Sequence, residues 1–106
     1  MSKYVNVAVN VPESNADELR KAIGDIGAGV RGDYTHCSFS IKVTGRFIPV
    51  GDADPTIGEV GKLEEVAEER IEVRCKKEDL EIVVKAIRDN HPYEEVPINA
   101  YDLLEI

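Results

Sequence analysis

The chain of 106 residues carries 21 acidic against 13 basic side chains, a formal net charge of −8, and is 42% hydrophobic. That length predicts one domain, residues 1–106, around one core, and the composition is that of a soluble globule. The acidity argues against nucleic acid and anionic membranes as partners, because both demand a concentrated basic face. No apolar run approaches the roughly 20 residues that cross a bilayer, and the first residues lack a signal-peptide pattern. Cys37 and Cys75 are too few for a disulfide framework. Their strand-like contexts predict buried thiols in a reducing, cytoplasmic setting.

Val5, Val7, Val9 and Val11 alternate with Asn6, Ala8 and Asn10, the period of a strand over residues 4–11, which Pro12 ends. Ser14 with Asp17 predicts a capped helix start. Ala16, Leu19, Ile23 and Ile26 then recur at helical spacing until Gly27 and Gly29. From Tyr34 the period returns to two. Cys37, Phe39, Ile41 and Val43 are expected to face the core, with His36, Ser38, Ser40 and Lys42 on the other side.

The stretch from Gly45 to Lys62 contains Pro49, Gly51, Pro55, Gly58 and Gly61, a composition that breaks helices and predicts a loop. Loops this long in a small domain are uncommon and often functional. A third strand covers 65–75, with Ala67, Ile71, Val73 and Cys75 inward. Glu68, Arg70, Glu72 and Arg74 form a ladder on the opposite face, and Glu69 falls on the inward register, where it needs a partner or lines a pocket. A second helix over 77–90 turns Leu80, Val83, Val84 and Ile87 to the core, and a last strand starts at Val96 or Pro97 and runs to Leu104.

The order βαβ, loop, βαβ defines an α+β fold: a ferredoxin-like sandwich with an antiparallel four-stranded sheet and two helices on one face. The opposite face is then expected to carry His36, Ser38, Ser40, Lys42, Glu68, Arg70, Glu72 and Arg74, either solvated or packed on another subunit.

Two polar runs hold both histidines: Tyr34-Thr35-His36-Cys37-Ser38 and His91-Pro92-Tyr93-Glu94-Glu95. In the second, Pro92 stops a helix and crowds an imidazole, a phenol and two carboxylates into one turn. His91 has two readings: a helix stop that caps carbonyls while Tyr93 packs, or a ligand for a metal ion beside acids. Adjacent strand residues point to opposite faces, so His36 and Cys37 cannot chelate one ion together, and Cys37 is expected in the core. No phosphate loop is present: Gly58-Glu59-Val60-Gly61-Lys62 has the wrong spacing and an acid inside it.

Gly27-Ala28-Gly29, Gly32-Asp33-Tyr34, Cys37-Ser38-Phe39, Gly45-Arg46-Phe47-Ile48-Pro49, Pro55-Thr56-Ile57-Gly58, Gly61-Lys62-Leu63-Glu64, Arg70-Ile71-Glu72 and His91-Pro92-Tyr93-Glu94-Glu95 occur in one order. Together they resemble the YqfO-type domain, found as an insert in Nif-three-like dinuclear-metal proteins and as short free-standing proteins. That domain is similar in fold to PII signalling proteins and to CutA. Asp33, where Asn is common, and Val96-Pro97, where Glu often precedes Pro directly, depart from the pattern.

The resemblance implies a free-standing homotrimer with open sheet faces toward the threefold axis. It implies no enzyme activity, since the metal-binding body of the larger family has no counterpart here. The expected role is regulatory, with a small ligand or divalent metal ion bound between subunits. His91, Tyr93, Glu94, Glu95, His36, Tyr34 and Ser38 are the candidate ligand-binding residues, with His91, His36 and Glu95 for a metal. The Gly45 to Lys62 loop is the expected contact for a protein partner. The alternatives are an assembly or regulatory module for a partner metalloenzyme, with no ligand of its own, and metal-dependent hydrolysis.

Overall fold

The computed structural model describes residues 3–106. Six main elements follow in order: β1 (Tyr4–Pro12), α1 (Glu13–Asp25), β2 (Phe39–Phe47), β3 (Glu64–Lys76), α2 (Leu80–Asp89) and β4 (Ile98–Asp102). A 3-10 turn, Lys77–Asp79, leads into α2. The strands form one sheet in the order β2-β3-β1-β4, and each neighbouring pair is antiparallel. This is the ferredoxin-like α+β arrangement expected from the element order.

The alternating valines of β1 explain the core. Val5, Val7, Val9 and Val11 lie opposite Cys75, Val73, Ile71 and Glu69 of β3 on one face. Ala16, Leu19 and Ile23 of α1 and Val83 and Ile87 of α2 close over that face, and nearly all of these side chains are buried. Cys75 is in this core, and its burial pushes the thiol above its ordinary pKa. Glu69 is the polar intruder on the same face. Arg20 of α1 meets it at 2.7 Å and also donates to Ser40 Oγ at 3.0 Å. The inward register of Glu69 thus ends in an ion pair rather than a pocket.

The structure corrects the expected orientation of β2. Phe39, Ile41 and Val43 pair with Glu72, Arg70 and Glu68, which places them on the open face, away from the helices. Ser40 pairs with Ile71 and lies on the helix side. The reason is position. β2 is an edge strand, and α1 and α2 cover β1 and β3, so its apolar side has no helix to meet. A period of two fixes which residues share a face but not which face is buried. Phe39 is left 81% exposed and Ile41 57%.

Three smaller corrections have local causes. β2 begins at Phe39, because residues 31–34 form a tight turn closed by Arg31 and Tyr34 backbone hydrogen bonds of 2.9 and 3.0 Å. Cys37 precedes the strand and is exposed, not in the core. Ser14 lies inside α1, whose N-cap is Pro12, and its hydroxyl contacts Asn15 Oδ1 rather than capping the helix. α1 ends, as expected, just before Gly27 (φ 100°), whose N–H reaches Gly24 O.

Among the described residues, no helix is long and apolar enough to cross a membrane. Two isoleucines of α2 test the layer assignment. Ile87 is fully buried and Ile82 faces outward. Ile87→Ala is expected to lower unfolding free energy by about 2–5 kcal/mol in urea titrations. Ile82→Ala is expected to change it by less than about 0.5 kcal/mol.

Candidate functional site

The turn after α2 is built around His91. Its Nε2 lies 2.7 Å from the carbonyl of Asn10, and its Nδ1 accepts the Tyr93 backbone N–H at 3.1 Å. An Nδ1 that accepts an N–H carries no proton, so the imidazole is the neutral Nε2–H tautomer and donates to Asn10. The last β1–β4 pair is Val9 with Ile98. Asn10 is the next residue, and the imidazole takes over where the ladder stops. Both ring nitrogens are committed, and the side chain is only 9% exposed. Here His91 serves as the brace of the turn.

Fixing His91 places Tyr93. The two rings stack at a tilt, with centroids 5.0 Å apart, and Phe47 of β2 meets Tyr93 edge-on at 6.0 Å. The Tyr93 hydroxyl donates to Glu68 Oε2 at 2.6 Å. Burial, then the adjacent Glu68 carboxyl, holds the phenol well above the ordinary tyrosine pKa. The β2–β3 loop closes the other side. Gly61 N–H bonds to Pro49 O at 2.7 Å, folding the loop on itself. Thr56 Oγ1 donates to Pro92 O at 2.6 Å and Asp54 N–H to Glu94 Oε2 at 2.8 Å, tying it to the 91–95 turn.

Between loop and turn lies a cleft of about 530 Å³. Phe47, Pro49, Val50, Pro55 and Ile57 supply apolar walls, and Tyr93, Glu94 and Glu95 line the turn side. Asn10 and Glu68 form a polar floor. Glu68 is only 5% exposed. It packs against Gly45 so closely that a Cβ there would lie 2.1 Å from Oε1. A glycine within β2 is what admits the carboxylate.

Three of the candidates read from the sequence meet at this cleft. Tyr93, Glu94 and Glu95 line the cleft as candidates, and His91 supports it from beneath. Asn10 and Glu68 were not among the candidates. Glu68 read as one rung of a solvated ladder. The available signal was Gly45, an interruption in a strand that marks close approach.

The second polar run is elsewhere. His36 Nε2 lies 2.9 Å from Asp25 at the C-terminal end of α1, and its ring covers Gly24, where a Cβ would meet Cδ2 at 2.1 Å. Lys21 first and His36 second hold the Asp25 carboxyl below its ordinary pKa. His91 sits by Asn10, next to the start of the same helix. A 13-residue helix is about 20 Å long, so the two imidazoles do not meet within one chain. Among the described residues, no three His, Cys, Asp or Glu side chains converge as metal ligands. Tyr34 is 76% exposed on its turn, and Ser38 is half-buried ahead of β2. Neither lines the cleft.

The sheet is ferredoxin-like, with its β2–β3 loop folded against the turn before β4, and its fold is that of the CutA and PII structures. Solved structures agree on the fold. CutA from Archaeoglobus fulgidus superposes with a TM-score of 0.70 at 16% identity, covering 96% of this chain and 85% of that one. Arabidopsis thaliana PII bound to citrate gives 0.65 at 19% identity, over 97% and 77%.

Sequence gives the nearer kinship. The chain is 44% identical over 100 residues to the GTP cyclohydrolase 1 type 2 homolog of Bacillus subtilis (strain 168), covering 94% of this chain and 26% of that protein. The homolog of Mycobacterium tuberculosis (strain ATCC 25618 / H37Rv) is 42% identical over 96 residues, 91% of this chain and 25% of that protein. A Bacillus cereus protein related to NIF3 superposes with a TM-score of 0.80 at 43% identity, over 96% of this chain and 26% of that one. No family model matches the chain. The chain is thus homologous, over nearly all its length, to the YqfO-type, PII/CutA-like segment of NIF3-related proteins. It spans about a quarter of the length of these relatives.

Two variants test the brace. His91→Ala removes a donor from Asn10 O and an acceptor from Tyr93 N–H, and is expected to cost about 1–3 kcal/mol in urea unfolding. The raised Tyr93 pKa makes a signed prediction. An acid harder to ionise when folded stabilises the fold fully below pH 10, and that contribution falls as pH rises beyond it. Tyr93→Phe should remove the late-ionising component from the ultraviolet tyrosine titration and flatten the alkaline loss of stability.

Proposed function

We propose that the chain is a non-enzymatic regulatory module of the PII/CutA type. It assembles as a homotrimer through its open sheet face and takes a small organic ligand in the cleft between the β2–β3 loop and the 91–97 turn. The observation that carries this reading is the cleft itself: a preformed hollow of about 530 Å³, apolar at the walls and polar at the floor. Its two sides are tied by Thr56 to Pro92 and Asp54 to Glu94, so occupancy has a direct route into the loop. That loop is the expected contact for a protein partner.

Assembly is supported by the open face. Phe39 and Ile41 stand exposed on one edge of it, beside the charged ladder of β3. An apolar edge next to unpaired strand backbone is a surface that another copy can cover. The threefold stoichiometry is that of the family the chain resembles. An organic ligand fits better than a divalent ion, because His91 has no free nitrogen and His36 is at the far end of α1.

A second reading rests on the relatives, in which this segment makes up about a quarter of a longer protein. There it would serve as an assembly or regulatory module attached to a larger body, and the activity in those proteins' name would belong to that body. The two readings separate by native mass spectrometry of protein purified without additives. A trimer carrying one extra mass per cleft supports the ligand reading. A bare trimer that stays bare with small molecules supports the module alone. Ile41→Asp is expected to give monomers with an unchanged far-ultraviolet spectrum; a wild-type monomer would refute the trimer.

A further inference from the structure

The cleft floor has an unbalanced hydrogen-bonding inventory. A carboxylate offers about four acceptor positions, and Glu68 receives one bond, from the Tyr93 hydroxyl at 2.6 Å. Among the described residues no cation pairs with it. The nearby guanidiniums are engaged elsewhere: Arg70 with Glu72 at 3.2 Å and Arg46 with Glu65 at 3.4 Å. Asn10 Oδ1, in the same floor, is shut off from water and has no hydrogen-bond partner. Tyr93 has already spent its one proton. Of the other charged groups lining the cleft, Glu94 and Glu95 are acidic and Arg46 alone is basic.

A buried carboxylate without a cation and a buried carbonyl without a donor are both costly. Here they share one face: Glu68 stands opposite Pro12, two residues along β1 from Asn10. Of the two, Glu68 reaches the cleft, and what it lacks is an N–H donor with a positive charge. Above them the walls are apolar, and Phe47 and Tyr93 present aromatic rings. Such rings favour a cation's approach as well as an apolar body.

Resting on the proposal that the cleft is a ligand site, we propose that its ligand is an organic cation: a primary ammonium or guanidinium on an apolar body, its N–H groups directed at Glu68. Anionic ligands such as nucleotides or dicarboxylates meet three carboxylates against one guanidinium that is already paired. The site discriminates by charge, and the apolar walls set the size of the body.

The test compares three molecules with the same ring. Tyramine, its neutral alcohol analogue tyrosol and the anion 4-hydroxyphenylacetate are titrated into the full chain, with agmatine as a guanidinium probe. Binding is read by amide chemical shifts at Gly45, Phe47 and Tyr93. Tyramine or agmatine is expected to shift these amides, and tyramine to bind at least about tenfold more tightly than tyrosol, with 4-hydroxyphenylacetate weakest. In Glu68→Gln, which still accepts from Tyr93, that preference should fall to near parity while the native mass stays that of the wild type.

Equal binding of amine and alcohol would overturn the cation assignment while leaving the cleft a ligand site. So would shifts confined to the anion or to added ATP or 2-oxoglutarate. No shift with any of these molecules would overturn both proposals. Dissociation of the oligomer by Glu68→Gln would also overturn the cation assignment, since Glu68 would then be paired by a neighbouring copy.

Discussion

The end of the β1–β4 ladder governs the cleft side of this molecule. Pairing stops at Val9, and Asn10 is left with a carbonyl that no strand residue of β4 meets. An unpaired buried carbonyl is costly, and the usual remedies are a longer strand or a water molecule. This chain uses His91. Because the imidazole must reach β1 with one nitrogen, its other nitrogen points back at the turn and takes the Tyr93 N–H. One side chain therefore sets the position of the whole 91–95 segment. Tyr93, Phe47 and the β2–β3 loop follow from it in sequence, each through a named contact.

The two faces of the sheet carry different kinds of polarity. On the helix face Glu69 is neutralised by Arg20, which also binds Asp17 on its own helix. On the open face Arg74 stacks over Tyr4 with its guanidinium 3.5 Å from the ring centroid, and it bonds Glu105 near the C-terminus. Arg70 takes Glu72, and Asn6 donates to Glu72 as well. Most charges on both faces are thus paired within the chain. Glu68 is the member of the ladder that breaks the pattern. It is the most buried of them and is answered by a phenol instead of a cation. A local rule broken at one position of an otherwise consistent structure is where function is expected.

Much of the fold was legible in the sequence because period and burial coincide in its centre. The valines of β1 and the helical spacing of Leu19 and Ile23 could serve only one face each. β2 was misread for a physical reason: at an edge strand the apolar side marks whatever will cover it, helix or second chain, and the period is blind to which. Cys37 followed the same error, since it was placed by extending that alternation back beyond Phe39. The site was half legible. The turn at Pro92 gathers chemistry that is local in sequence, and so it stood out. Asn10 and Glu68 come from separate strands, and only the β1–β3 register brings them to one floor. Spacing within a single run carries no information about that register.

Fold and chemistry are separable in this protein. CutA and PII structures under 20% identical share the frame. They share it because a βαβ-βαβ sheet with one covered face is satisfied by many valine and leucine patterns. A frame so permissive dictates nothing about the cleft floor. The floor needs an acid at position 68, a residue without a side chain at 45 to admit it, and a phenol at 93 to hold it. These three requirements are mutually dependent. A side chain at 45 would displace the carboxylate, and without the carboxylate the phenol would lose its acceptor in a buried setting. Such interlocking constraints act on the site while leaving the core free to vary. The PII/CutA-like frame supports the cleft without setting its chemistry.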